Sequence, residues 1–185
     1  MRRGRLVLFG AAALIGAAAI GAAVWQREPP RTEAAIIDRP VFPDITPRLA
    51  NAARIEVRRH DGTVTLERRD GVWGIAERSH YPARAERVRE VFTGLAELRL
   101  IEERTGNPDL FSRLGLEDVT VAGGTSQLLT VKDGQGNVIA ELIVGRRRIR
   151  TAGNLPEAIY VRRPGENRSY LAEGALRLDT DPMLW

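Results

Sequence analysis

Apolar and polar residues alternate through RIEVRRHDGTVTLERRDGVWGIA: Ile55 and Val57, then Val64 and Leu66, then Val72, with Trp73 and Ile75 following. A two-residue period marks strands that bury one face. Asp61-Gly62 and Asp70-Gly71 fall between the runs, and Asp-Gly supplies the positive φ angles that tight hairpin turns demand. The pattern predicts a three-stranded meander. The period then changes. Val88, Val91, Phe92, Leu95 and Leu98 recur at spacings of three and four, which predicts one apolar stripe on a helix over about Ala83 to Leu98. Pro82 suits the first turn of that helix, where its missing N–H would be unpaired anyway. Arg84, Arg87, Glu90 and Glu97 fall largely away from the stripe and are expected to face solvent. The helix is expected to cross one face of the meander, with Trp73 and Tyr81 as packing partners.

The second half repeats the grammar. LRLIEERT predicts a strand, and NPDLFSRLGLED a short helix stopped at Gly115. QLLTVKDGQGNVIAELIVG and AIYVRRPGENRSYLA each predict a hairpin, the second turning at Pro164-Gly165. Gly134 and Gly136 belong to a turn rather than a nucleotide loop, because no third glycine and no helix follow. LRLDTDPMLW alternates Leu176 and Leu178 as a strand would, then ends on Met183, Leu184 and Trp185. Three large apolar residues need cover. The isolated soluble part, from about Glu28 onward, is therefore expected to self-associate, and removing Ala175 to Trp185 to relieve this.

Upstream of the alternation the chain changes character. Leu6 to Trp25 is uncharged for twenty residues. A helix of that length spans about 30 Å, the thickness of a bilayer's hydrocarbon core. Trp25 ends it where an aromatic suits the membrane–water interface. A cleaved signal peptide competes, since Ala17-Ala18-Ala19 and Gly21-Ala22-Ala23 offer small residues to a peptidase, but its apolar core is shorter as a rule. Arg2, Arg3 and Arg5 crowd the start, which predicts a cytoplasmic amino terminus and a domain on the far side of an inner membrane. Small residues four apart, such as Ala12/Gly16 and Ala17/Gly21, suit a partner helix. Residues 26–48 include five prolines and no sustained period, as in a tether. The expected organisation is a basic terminus over 1–5, an anchor over 6–25, a linker over 26–48 and an α+β domain over 49–185. That domain combines antiparallel meander and hairpins with one longer and one short helix.

Charge alters one inference. The net charge of +4 and pI near 10.2 suggest nucleic acid. Without Arg2, Arg3 and Arg5, however, 25 basic residues face 24 acidic ones. A nucleic-acid binder concentrates positive charge on its folded part, so that partner is excluded. GRRRIR, Gly145 to Arg150, is the one compact basic cluster and is expected to be a solvated loop. Lys132 is the only lysine, a bias toward arginine that fits a GC-rich genome rather than a task.

Candidate chemistry is scarce. The chain has no cysteine, which removes disulfides, thiolate catalysis and cysteine metal sites. Its two histidines, His60 and His80, do not make a histidine-rich metal site. His60 precedes the first turn and is expected to be exposed. His80 stands at the junction of meander and helix, with no second histidine or placed serine near it, and is read as structural. No nucleophile elbow, phosphate loop or paired metal ligands occur. The sequence therefore predicts no catalytic, cofactor-binding or metal residues and no enzyme.

The order of elements resembles the family called domain of unknown function 4340. The resemblance rests on Trp73 closing a hairpin, Tyr81-Pro82-Ala83 before a helix, Leu114-Gly115-Leu116, Glu141 to Gly145, and Ile159 to Arg162. It runs from about Ile55 to Leu171 and includes the amino-terminal anchor. Arg84 departs from the family's usual Asp or Asn after Tyr-Pro-Ala. The family also continues past a tryptophan equivalent to Trp185, so the chain is expected to be short or truncated. The resemblance implies a membrane-anchored protein that accompanies gliding-motility-type ABC transporter components, with no catalytic residue to carry over. The expected function is a non-enzymatic accessory or scaffold in an ABC-transporter-like envelope complex, partnered by an ABC-type permease or its auxiliary subunit. The alternative is a periplasmic ligand-binding module for an envelope polymer or lipid, and a hydrolase stands third.

Overall fold

The computed structural model describes residues 36–148 and 156–185. Their ten strands form one sheet in the order β1-β6-β10-β9-β8-β7-β2-β3-β4-β5, antiparallel at every pairing. β2 (Ala52–Arg59), β3 (Gly62–Arg69), β4 (Val72–Ile75) and β5 (Tyr81–Pro82) step toward one edge. β7 (Gln127–Asp133), β8 (Val138–Arg148), β9 (Ala158–Arg162) and β10 (Ser169–Glu173) step toward the other. β2 and β7 are the seam between the two meanders. β6 (Arg99–Glu103) continues beyond β10, and β1 (Ile36–Pro40) forms the far edge.

The expected meander is present, but its two turns differ. Arg69 pairs with Val72 across Asp70 and Gly71, whose φ angles of 51° and 81° follow the Asp-Gly rule. In the first turn Arg59 pairs with Gly62 instead, so His60 and Asp61 form the turn and neither has a positive φ. There the Arg59 guanidinium grips the Asp61 carboxylate, an exposed pair worth little by itself. His60 is exposed, as expected.

α2 (Ala85–Glu97) carries the chain from the β5 edge back to β6 near the opposite edge. Its stripe buries Val88, Val91 and Leu95, and Leu98 just beyond it. Those side chains join Ile55, Val57, Val64, Leu66 and Ile75, together with Leu129, Val131, Leu142 and Ile159, in the main core. The other sheet face holds a smaller cluster. There Phe111, on the short helix α3 (Phe111–Leu114), packs with Leu116, Val119, Leu128 and Ile143. Burial on both faces explains why β7 has four consecutive buried residues, Leu128 to Val131, where β2 alternates.

Three expectations change. Within the stretch expected as linker, Ile36–Pro40 is an edge strand and Ile45–Leu49 a helix, α1. Val41, Phe42, Ile45 and Leu49 lie in the core. Their spacing is helical only in part, and Pro40, Pro43 and Pro47 obscure the period. Pro82 belongs to β5, opposite Gly74, and the helix begins three residues later. The end of the chain is not a strand. Leu176, Leu178 and Trp185 descend into the main core from an irregular segment that closes on a 3-10 turn, Pro182–Leu184.

The expected anchor, and Ile149 and Arg150 of the basic cluster, lie outside the described residues. Gly145 to Arg148 of that cluster belong to β8 rather than to a loop. Among the described residues no helix is long and apolar enough to cross a membrane.

Candidate functional site

At the joint between the β2–β4 meander and α2, Trp73 is half-buried, meeting Phe92 edge-on with ring centres 5.9 Å apart. Tyr81, expected beside it, is instead 68% exposed. His80 occupies the turn between them with φ 62°, in the left-handed region that costs a non-glycine residue roughly 1–2 kcal/mol. Its N–H donates to the Ile75 carbonyl at 3.0 Å, which fixes the turn. The imidazole lies flat against Gly74, so close that a Cβ there would stand 2.6 Å from its Cγ. Neither ring nitrogen has a hydrogen-bond partner among the described residues. The ring thus acts here as a packing plate.

This contact yields a measurable coupling. Gly74→Ala should destabilise the protein by about 1–3 kcal/mol through overpacking. His80→Ala alone should change stability little, because lost ring packing is offset by removing two buried unpaired nitrogens. Combining the two should restore most of the loss. Urea unfolding of all four proteins would measure the coupling, and strict additivity would refute the stacked arrangement.

Beyond His80 the joint opens into a cleft of about 690 Å³ between β5 and the carboxyl-terminal turn. Ile75, Pro82, Ala83 and Trp185 contribute apolar lining; Arg78 and Arg84 add charge. Tyr81 is the cross-strand partner of Ile75 and so stands on the same sheet face. Met183, also lining the cleft, is 61% exposed, and neighbouring Leu184 is 44% exposed. Trp185 holds the turn. Its ring is buried, its indole N–H donates to the Asp179 carbonyl at 3.0 Å, and its own carbonyl accepts from the Arg84 N–H. The result is an amphipathic recess with Tyr81 and Met183 exposed at its rim.

A second polar node sits on the opposite sheet face. Arg162 is buried and spreads its fork over three acceptors: the Leu116 carbonyl at 3.0 Å, the Glu166 carbonyl at 3.2 Å and the Asp118 carboxylate at 2.9 Å. Its guanidinium also covers the Phe111 ring at 4.6 Å. Every direction is occupied by the protein itself, which makes Arg162 a staple between β9 and the loop after α3.

The acids show no comparable convergence. Arg69 holds Glu67 below the ordinary glutamate range, and Arg59 does the same for Asp61. The Asn137 side chain, with backbone N–H groups of its own turn, lowers Asp133. All three effects favour the ionised form, opposite to what a general acid needs. Among the described residues no group of three or more His, Asp or Glu side chains is placed to hold a metal ion.

Of the residues singled out from sequence, the structure thus gathers Trp73 and His80 at the joint and turns Tyr81 outward. Arg78, Arg84 and Met183 of the cleft had no sequence signal as a group. The one pointer was the apolar trio at the chain's end, whose members separate in space: Trp185 inward, Met183 and Leu184 outward.

A family model described as domain of unknown function (DUF4340) matches residues 73–185, more than half of the chain. No curated protein and no solved structure matches.

Proposed function

The chain belongs to the domain of unknown function 4340 family, and from that premise we propose that it is a non-enzymatic docking subunit of an ABC-transporter-like envelope complex. The observation that carries this reading is the cleft at the joint. Tyr, Trp, Met and Arg are the residue types enriched at protein interfaces, and here they line one recess. Exposed Tyr81 and Met183 provide anchors of low flexibility or high adaptability, above buried Ile75 and Trp185. An anchor over residues 6–25 would confine the domain to one membrane. Confinement raises its effective concentration toward neighbouring membrane proteins, so a modest interface suffices. On this reading the domain lies on the periplasmic side of the inner membrane and its partner is an ABC-type permease or auxiliary subunit.

The test is recovery of that partner from a mild-detergent extract with tagged full-length protein. Tyr81→Asp combined with Leu184→Asp should abolish recovery while leaving the melting temperature unchanged, since exposed substitutions usually shift stability by no more than about 0.5 kcal/mol. Exchanging residues 6–25 for a cleavable signal peptide should weaken recovery. Equal recovery by the double variant, or no transporter component with the wild type, would overturn the proposal.

A further inference from the structure

A second cavity, remote from the cleft in the sheet order, has a different character. It lies beneath the segment Pro40 to Pro43, over β6, β8, β9 and β10, and encloses about 300 Å³. That volume is at the lower end of small-molecule sites, roughly 300–1,000 Å³. Its apolar lining is contributed by Val41, Leu100, Leu142 and Val161, all buried. Its mouth is charged, with Arg39 at the end of β1 and Arg163 just after β9.

Arg163 is positioned rather than loose. One of its N–H groups donates to the Val41 carbonyl at 2.9 Å, and its guanidinium lies 5.0 Å from the centre of the Phe42 ring. A guanidinium carries five N–H donors in a fixed fork, so this arrangement leaves donors to spare. Among the described residues neither Arg39 nor Arg163 forms an ion pair. Glu166 is the only acid in the lining, leaving two guanidiniums at the mouth against one carboxylate. Arg162, between Val161 and Arg163 in sequence, has its fork committed on the other sheet face. An apolar floor edged by two arginines matches a molecule with one apolar end and one anionic end.

We propose that this cavity binds a small amphiphile with a single anionic head, a carboxylate or phosphate monoester, and a short apolar tail. The head meets Arg39 and Arg163, and the tail lies on Leu100, Leu142 and Val161. This binding is separate from partner docking and stands whether or not that reading survives.

Calorimetric titration of the full-length protein in nonionic detergent tests it, with butanoate, hexanoate, hexyl phosphate and hexan-1-ol as probes. Affinity should rise about fourfold for each methylene between butanoate and hexanoate. Hexan-1-ol should bind at least about tenfold more weakly than hexanoate, for want of the charged head. Hexyl phosphate binding tighter than hexanoate would assign the head as a phosphate monoester, and the reverse order as a carboxylate. Arg39→Gln, an exposed change, should weaken either anion about five- to tenfold with no shift in melting temperature. Arg163→Gln should weaken either anion likewise, with a small fall in melting temperature from the lost bond to the Val41 carbonyl. Absence of saturable binding would overturn the proposal and leave a water-filled cavity. Affinities indifferent to Arg39→Gln, or equal for hexanoate and hexan-1-ol, would mean micelle partitioning and also overturn it.

Discussion

Removing Ala175 to Trp185 should unfold the protein rather than make it better behaved. Leu176, Leu178 and Trp185 all sit in the main core. Fully burying one such side chain stabilises by about 1.5–3 kcal/mol, so their joint loss comes to about 5–9 kcal/mol. The whole stability of a domain is only about 5–15 kcal/mol. The Arg84 N–H would also lose the carbonyl of Trp185, and the side of α2 facing that residue would be bared, including Arg87, whose guanidinium lies 5.7 Å from the centre of the Trp185 ring. Circular dichroism in urea, on full-length protein and on a version ending at Gly174, should show a cooperative transition only for the former. Matching transition midpoints would refute this. The expectation drawn from the sequence had the opposite sign, because it read Leu176 and Leu178 as a strand and left the apolar trio after it uncovered. Of the apolar trio, only Met183 and Leu184 remain exposed to support self-association.

Arg162→Ala should cost about 3 kcal/mol, since it strips a charged donor from two main-chain carbonyls and a carboxylate and uncovers Phe111. For a domain of this size that corresponds to a fall in melting temperature of roughly 6–12 °C. Arg162→Lys should recover little of it, because one ammonium cannot serve three acceptors set around a planar fork. Hydrogen exchange should quicken first at Leu116 to Asp118, the loop that the fork ties down. A neutral Arg162→Ala, or full rescue by lysine, would show that the contacts do not hold the loop.

Local features were legible in the sequence and distant ones were not. The hairpins and α2 follow from periods of two and 3.6 residues, and both survive in the structure. The β2–β7 seam joins residues such as Ile55 and Val131, and no short-range period reports so remote a pairing. Residues 36–49 were missed because three prolines interrupt their pattern. The cleft was hidden for another reason. Whether Tyr81 or Trp185 is the exposed aromatic depends on the route of an irregular tail across α2, which composition does not encode. Arg162 was inconspicuous among so many arginines; its burial and its three acceptors distinguish it only in the fold.

The seam also imposes a schedule. As the chain emerges from the ribosome, β2, β3 and β4 can pair at once, but the outer edge of β2 has no partner until β7 has been made. About 70 residues separate the two strands, roughly 3–14 s of synthesis at ordinary rates. For that interval the nascent meander presents an open strand, the geometry most prone to pairing with a neighbouring chain. Arg54, Glu56 and Arg58 interleave with Ile55 and Val57 along it. Charges so spaced discourage a second copy from docking in register, guarding an edge that exists only while the protein is unfinished.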